Sequence, residues 1–340
     1  MKPWKRTLPL ALALAMSLSL LAGCASTGSD ELPEKEIYVD QVTIEDIDIT
    51  DEAVALSDAP AALHDLLLPE APGTLVKKNS RAMIDYSNTK DGYVMVKFTG
   101  TTKTRLKVQV FGPSYETAKL KYTYDLPVGE WTTFPLSDGN GSYKITVMEN
   151  TTGTKYAQVL SQSFEVELTD EFAPFLRPNQ YVDYASAPNT VAKAAELVGD
   201  ETDPLLQVKA VYEFVVKNFT YDKQLAATVK SGYLPVLDDV LAAKKGICFD
   251  YAALMTGMLR SLGVPCKLVT GYVPVSGGKT GYHAWISVWS EETGWVEGAI
   301  HFDGSTWQRM DPTFASTGNS SANTMKYIGD GTNYTPDKIY

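Results

Sequence analysis

The chain holds three Cys and three His in 340 residues, so chemistry that needs a thiol beside an imidazole has few places to sit. Cys248 stands in Lys245-Gly246-Ile247-Cys248-Phe249-Asp250-Tyr251-Ala252. Leu254, Met255, Met258, Leu259 and Leu262 follow at helical spacing, and Gly263-Val264-Pro265 ends the pattern. This predicts a helix with Cys248 in its first turn, where unpaired N–H groups and the helix dipole favour a thiolate. His283 opens the alternating run His283-Ala284-Trp285-Ile286-Ser287-Val288-Trp289. A strand is predicted there, with His283, Trp285, Ser287 and Trp289 on one face. If that end of the sheet packs against the helix start, the imidazole can take the thiol proton as general base and return it to a leaving amine. Asp311, which follows a short strand-like run at 306–310, offers a carboxylate to hold the second ring nitrogen and fix the tautomer. Cys248, His283 and Asp311 are therefore the candidate catalytic residues.

The elements that must position them read as a mixed helix-and-strand region. Asp203-Pro204 is a capping residue followed by proline at the first helical position, and Leu205, Val208, Tyr212 and Val215 then recur on one face. A strand at 267–273 and a Gly-rich loop, Ser276-Gly277-Gly278, lead to the His283 strand. Upstream, short alternating runs occur at 93–99, 106–111, 120–126, 143–148 and 159–166, separated by turn clusters such as Ser137-Asp138-Gly139-Asn140-Gly141. They predict an all-β sandwich of immunoglobulin-like architecture, with Tyr122, Tyr124 and Trp131 read as core rather than as a carbohydrate platform. Pro174, Pro178 and Pro188 interrupt both patterns, so the two domains are expected to separate between 170 and 190.

The N-terminus reads as an export signal. Lys2, Lys5 and Arg6 form a basic start, residues 8–21 an apolar run too short to span a bilayer comfortably, and Leu21-Ala22-Gly23-Cys24 closes it. That closing sequence resembles the bacterial lipobox, which implies that Cys24 is acylated and anchors the mature chain outside the cytoplasm on the bacterial cell membrane. The expected organisation is a signal peptide at 1–23, an acidic tether at 24–72, a β-sandwich at 73–170 and the thiol domain at 171–340. A formal net charge of −11 excludes a nucleic-acid backbone as partner, because phosphate binding needs a clustered cationic surplus.

Several pieces together resemble the transglutaminase-like superfamily. They are Gly246-x-Cys248 with Tyr251-Ala252, Leu262-Gly263-Val264-Pro265, Val269-x-Gly271-Tyr272, His283-Ala284-Trp285 and Trp307-x-x-x-Asp311-Pro312, within residues 196–314. The resemblance implies an α+β, papain-like domain with Cys248 as nucleophile, His283 as base and Asp311 as orienting acid. It further implies a cysteine hydrolase or acyltransferase working through a thioester, as protease, amidase or transglutaminase, with hydrolysis placed first. Protein or peptide, cell-wall peptide included, is the implied substrate, and no metal or cofactor is called for. Two departures stand out: Cys266-Lys267 follows the Gly-x-Pro turn where a basic residue is common, and the interval from His283 to Asp311 is lengthened by 291–302.

Other residues compete for the same roles. Cys266 reads as a small buried hydrophobe, with a disulfide to Cys248 as the alternative. His301 is a second imidazole, Asp303 a second orienting acid, and His64 a surface residue of the tether. Tyr221 is a candidate second oxyanion donor beside the Cys248 N–H. The competing functional reading is a non-catalytic binding or scaffolding lipoprotein.

Overall fold

Short runs that alternate between buried and half-buried side chains build the first half of the chain into sheets. The computed structural model describes residues 65–275, 279–291, 294–296, 301–302, 307–308 and 335–340. The signal peptide, Cys24, His64, Asp303 and Asp311 lie outside the described residues. The first strands are β1 (Val76–Lys78), β2 (Ala82–Asp85), β3 (Tyr93–Phe98) and β4 (Leu106–Phe111). A single turn, α1 (Tyr115–Ala118), precedes β5 (Lys121–Asp125), β6 (Trp131–Pro135), β7 (Gly141–Thr152) and β8 (Lys155–Val166). They form two four-stranded sheets, ordered β1-β2-β3-β6 and β5-β4-β7-β8, in which every pairing is antiparallel. In β4 Leu106, Val108 and Val110 are buried while Lys107, Gln109 and Phe111 are half-buried, the period of two that a one-sided sheet requires. Ile84, Val96 and Phe134 from one sheet share a core with Val108, Tyr124 and Ile145 from the other. Each such side chain contributes about 1.5–3 kcal/mol through burial.

Helices then take over: α2 (Pro188–Val198), α3 (Pro204–Asn218), α4 (Lys223–Thr228), α5 (Leu237–Ala243) and α6 (Cys248–Ser261). α3 starts where Asp203 predicts, its carboxylate accepting from the Leu205 N–H at 2.8 Å with Pro204 behind it. Two short strands, β9 (Thr220–Tyr221) and β10 (Lys245–Gly246), pair in parallel just ahead of α6. After α6 come β11 (Cys266–Val275), β12 (Lys279–Ser290), β13 (Gly294–Val296), β14 (His301–Phe302), β15 (Trp307–Gln308) and β16 (Thr335–Ile339). The sheet order is β13-β12-β11-β16, all antiparallel. α6 is buried on every side, with α2, α3, α5, β11 and β12 all packed on it. Every residue of α6 except Phe249 is buried. Gly257 lets α5 approach, since a Cβ there would lie 2.6 Å from Leu237 Cδ1.

The two halves are packed against each other. Tyr124 of β5 lies 5.6 Å from the Tyr181 ring and 6.0 Å from Tyr340, and Tyr181 lies 4.4 Å from Tyr340 and 5.7 Å from Phe249. Arg260 of α6 is buried beside this cluster and donates to the main-chain oxygens of Cys266 at 2.9 Å, Arg177 at 2.8 Å and Tyr340 at 2.6 Å. Tyr122 and Tyr124, read as sandwich core, therefore also face this joint, whereas Trp131 is half-buried outside it, and buried residues from both halves belong to one cluster. No helix among the described residues is long and apolar enough to cross a membrane.

Candidate active site

Cys248 is the first residue of α6, preceded by Ile247 in extended conformation (φ −97°, ψ 176°). The turn that delivers it is held from both sides. The Gly246 carbonyl accepts from the Asp222 N–H at 2.8 Å, and Asp222 pairs with Lys245 at 3.2 Å. The Asp222 carboxyl is held below its usual range, chiefly by the Leu225 N–H it accepts, with Lys245 adding to the effect. On the inner side, buried Asp250 accepts from the Ile247 N–H at 2.8 Å and from Tyr233 Oη at 2.7 Å. Gly246 has to be glycine here, because a Cβ would stand 2.6 Å from Asp250 Cβ. Tyr221 pairs with Gly246 in the β9–β10 ladder, which puts the suggested oxyanion donor beside this turn.

The two described cysteines are both free thiols, which corrects the disulfide alternative. Cys266 is fully buried on β11 with its sulfur 3.6 Å from Thr256 Oγ1, and burial pushes its thiol up to about 11. Such a thiol stays protonated near neutral pH and is inert.

His283 lies on β12 opposite Gly271 of β11 and is only 8% exposed, as is Cys248. Its ring stacks at 6.4 Å beside Trp285, the same-face neighbour that alternation predicts. Ala284, Ile286 and Val288 alternate with it and join the core that holds α6, whereas Trp285 joins a second cluster with Val269 and Val273. Position along the sheet follows from the Thr256–Cys266 contact. Cys248 lies eight residues before Thr256, roughly 12 Å along the helix. β11 leaves α6 through the short turn at 262–265 and runs back along it, climbing about 3.3 Å per residue. On these ideal rises Cys248 comes to about the height of Thr270, whose rung Ala284 closes on the face toward α6, while His283 closes the next rung, at Gly271, and alternates to the Trp285 face. Tyr282 agrees: burial first, then the charges of Asp337, Tyr272 and Cys248, hold its phenol above the usual range against its hydrogen bond to Thr270. At this level β12 is an edge among the described residues, since β13 pairs only with Val288, Trp289 and Ser290.

Asp311, the third candidate, lies outside the described residues, as does its rival Asp303. His301 begins β14, which pairs with β15 and lies beside α3, whereas the strand of His283 packs on α6. Among the described residues no three His, Cys, Asp or Glu side chains gather as metal ligands. The sequence pointed to Cys248 through its Gly-x-Cys start, but not to Asp250 or Tyr233. Asp250 carries a readable signal, an acidic residue in the first helical turn. Tyr233 carries none, because it reaches α6 from an irregular segment.

Residues 191–312 match the family model of the transglutaminase-like superfamily. This stretch is a transglutaminase-like domain. The chain is 30% identical over 117 residues to the uncharacterized protein YebA of Bacillus subtilis, covering 30% of this chain and 16% of that protein. It is 30% identical over 122 residues to a protein-glutamine gamma-glutamyltransferase of Pseudomonas aeruginosa, covering 32% and 17%. The match thus spans less than a fifth of either relative's length. A crystal structure titled as a candidate cysteine protease from Cytophaga hutchinsonii aligns over 73% of this chain and 76% of that one, with 15% identity and a TM-score of 0.36. The transglutaminase-like domain follows a sheet-rich N-terminal region in this chain.

Proposed function

We propose that this protein is a surface-anchored thiol enzyme that acts on amide bonds of protein or peptide substrates, with Cys248, His283 and Asp311 as its catalytic residues. The observation that supports the reading is the start of α6, a thiol heading a buried helix inside the transglutaminase-like match. The Cys248 thiolate attacks the amide carbonyl while His283 holds the thiol proton. The tetrahedral oxyanion is met by the Cys248 N–H, with Tyr221 as the second donor. Collapse breaks the C–N bond, the amine leaves with the proton from His283, and a thioester remains on Cys248. Water then attacks the thioester, His283 takes its proton, and the acid and the free thiol are released. An amine in place of water gives transamidation. Asp311 keeps the imidazole in the tautomer that accepts from sulfur.

Hydrolysis is the first expectation, because excluding water from an open cleft takes dedicated walls. One relative's name, a protein-glutamine gamma-glutamyltransferase, supports acyl chemistry at an amide. The sheet order β1-β2-β3-β6 against β5-β4-β7-β8 supports reading residues 73–170 as an immunoglobulin-like sandwich, ahead of the thiol domain at 171–340. Cys24 is the lipid attachment point, and the chain works outside the cytoplasm.

The test is the rate of Cys248 alkylation against pH in the parent and in His283→Ala. A thiolate paired with imidazolium reacts well below the free-thiol pKa of roughly 8.5, and loss of the imidazole moves the profile back toward it. Superimposable profiles would replace the enzyme with a binding or scaffolding lipoprotein.

A further inference from the structure

Asp250 is a buried titratable group that the proposed chemistry does not use. It sits two residues past Cys248, 1% exposed, with one oxygen on the Ile247 N–H and the other on Tyr233 Oη. Burial holds its carboxyl above the usual range, against the pull of those two donors. The charged and titratable groups around the pair are Asp222 and Asp239, with Lys245 bound to Asp222. The surroundings are built for this carboxylate. Gly246 leaves the space, since a Cβ would also lie 2.8 Å from Asp250 Oδ2, and residues 229–236 bring Tyr233 in from between α4 and α5. A buried carboxylate is costly unless it is fully bonded, and a surface residue could cap the helix more cheaply. Capping alone therefore does not explain it.

We infer that Tyr233 and Asp250 are a positioning pair for the nucleophile: by holding Ile247 and the first turn of α6, they aim the free N–H groups of that turn and the Cys248 sulfur at one point. This rests on Cys248 being the nucleophile. Neither side chain touches substrate; both act through the main chain of residues 247–249. Asp250→Asn keeps an acceptor for the Ile247 N–H, and its amide can donate to Tyr233 Oη. Asp250→Ala keeps neither bond, and Tyr233→Phe breaks only the outer one.

The experiment uses the full chain and iodoacetamide, with labelling at Cys248 quantified by peptide mass over pH 5–10 and the unfolding temperature of each variant measured alongside. Expected rates at neutral pH are about tenfold lower for Tyr233→Phe, from the loss of one bond to a charged group. For Asp250→Ala they are about hundredfold lower, from a displaced turn. In both, the midpoint moves toward that of a free thiol. Asp250→Asn keeps the parent midpoint or lowers it, since it retains the turn and removes a negative charge. If Tyr233→Phe and Asp250→Ala lower the unfolding temperature but keep the parent's rate and midpoint, the pair is structural only and the inference is overturned. If the parent itself titrates as an ordinary thiol, indifferent to His283→Ala, the enzymatic reading falls and the inference falls with it. The parent profile separates the two failures.

Discussion

Two thiols share one helix-and-sheet core and differ in what surrounds them. Cys248 heads α6, whereas Cys266 is sealed against Thr256. On the proposed mechanism, replacing Cys248 or His283 by Ala should each abolish turnover, and the double variant should lose no more than either single one, because a nucleophile and its base act as a unit. Steady-state kinetics on variants that unfold near the parent temperature checks this. Cys266 should instead appear in stability. Its folded pKa of about 11 exceeds that of the unfolded thiol, so its stabilising share is complete below about pH 8.5. That share is lost as pH rises through about 11, at a cost on the order of 3 kcal/mol. Urea unfolding between pH 8 and 11 should show a steeper decline in the parent than in Cys266→Ala; parallel curves would contradict the assignment. The buried tyrosines add to the decline in both proteins and cancel in the comparison. Cys248 was legible in the sequence because a helix start has local signals. The burial of Cys266 was legible from its apolar neighbours, but its partner Thr256 was not, since only the helix-to-strand packing brings the two together.

At the scale of elements, legibility followed sequence distance. α6 and the β11–β12 hairpin are continuous patterns, and their existence and order stand where the spacing put them. The strand read at 267–273 extends to Cys266–Val275, and the run opening at His283 begins at Lys279, because hairpin pairing continues toward the tip wherever main-chain groups face each other. Of the strand expected at 306–310 the described residues are Trp307 and Gln308, and both pair with β14. β16 could not be read at all. Thr335, Pro336, Asp337, Lys338 and Ile339 have no apolar alternation, and they become a strand because β11 offers an open edge. Gly271 makes that pairing possible. A Cβ there would collide with the Thr335 carbonyl and stand 2.7 Å from the Trp285 ring. Gly271→Ala should cost about 1–3 kcal/mol by overpacking and should loosen β16 first. Calorimetry would give the loss, and limited proteolysis should cut near residue 335 in the variant before the parent. Unchanged cleavage would show that β16 accommodates the methyl group.

For the whole molecule the consequential contact is the joint between the sheet-rich region and the transglutaminase-like domain. Composition and prolines pointed to a break near 170–190, yet Tyr122 and Tyr124 reach across it to Tyr340. No local pattern announces that a strand aromatic faces a distant segment rather than its own sheet. A fragment beginning at Asp183 would leave Tyr340 uncovered and the Arg177 oxygen missing from Arg260. It should unfold without a cooperative transition, whereas the full chain should melt in one. Circular dichroism of both in urea decides the matter, and a sharp transition in the fragment would show that the two halves are separable.

Arg260 ties that joint to time as well as to space. Its guanidinium is satisfied by three oxygens from segments far apart in the chain, and burial depresses even its strong basicity to about 10. Until residue 340 arrives, sinking this charge into the interior leaves it short of a partner, a penalty of several kcal/mol. Ribosomes deliver residue 340 after everything N-terminal to it. The nascent polypeptide is thus held back from premature closure by its own unsettled cation until synthesis reaches its last partner.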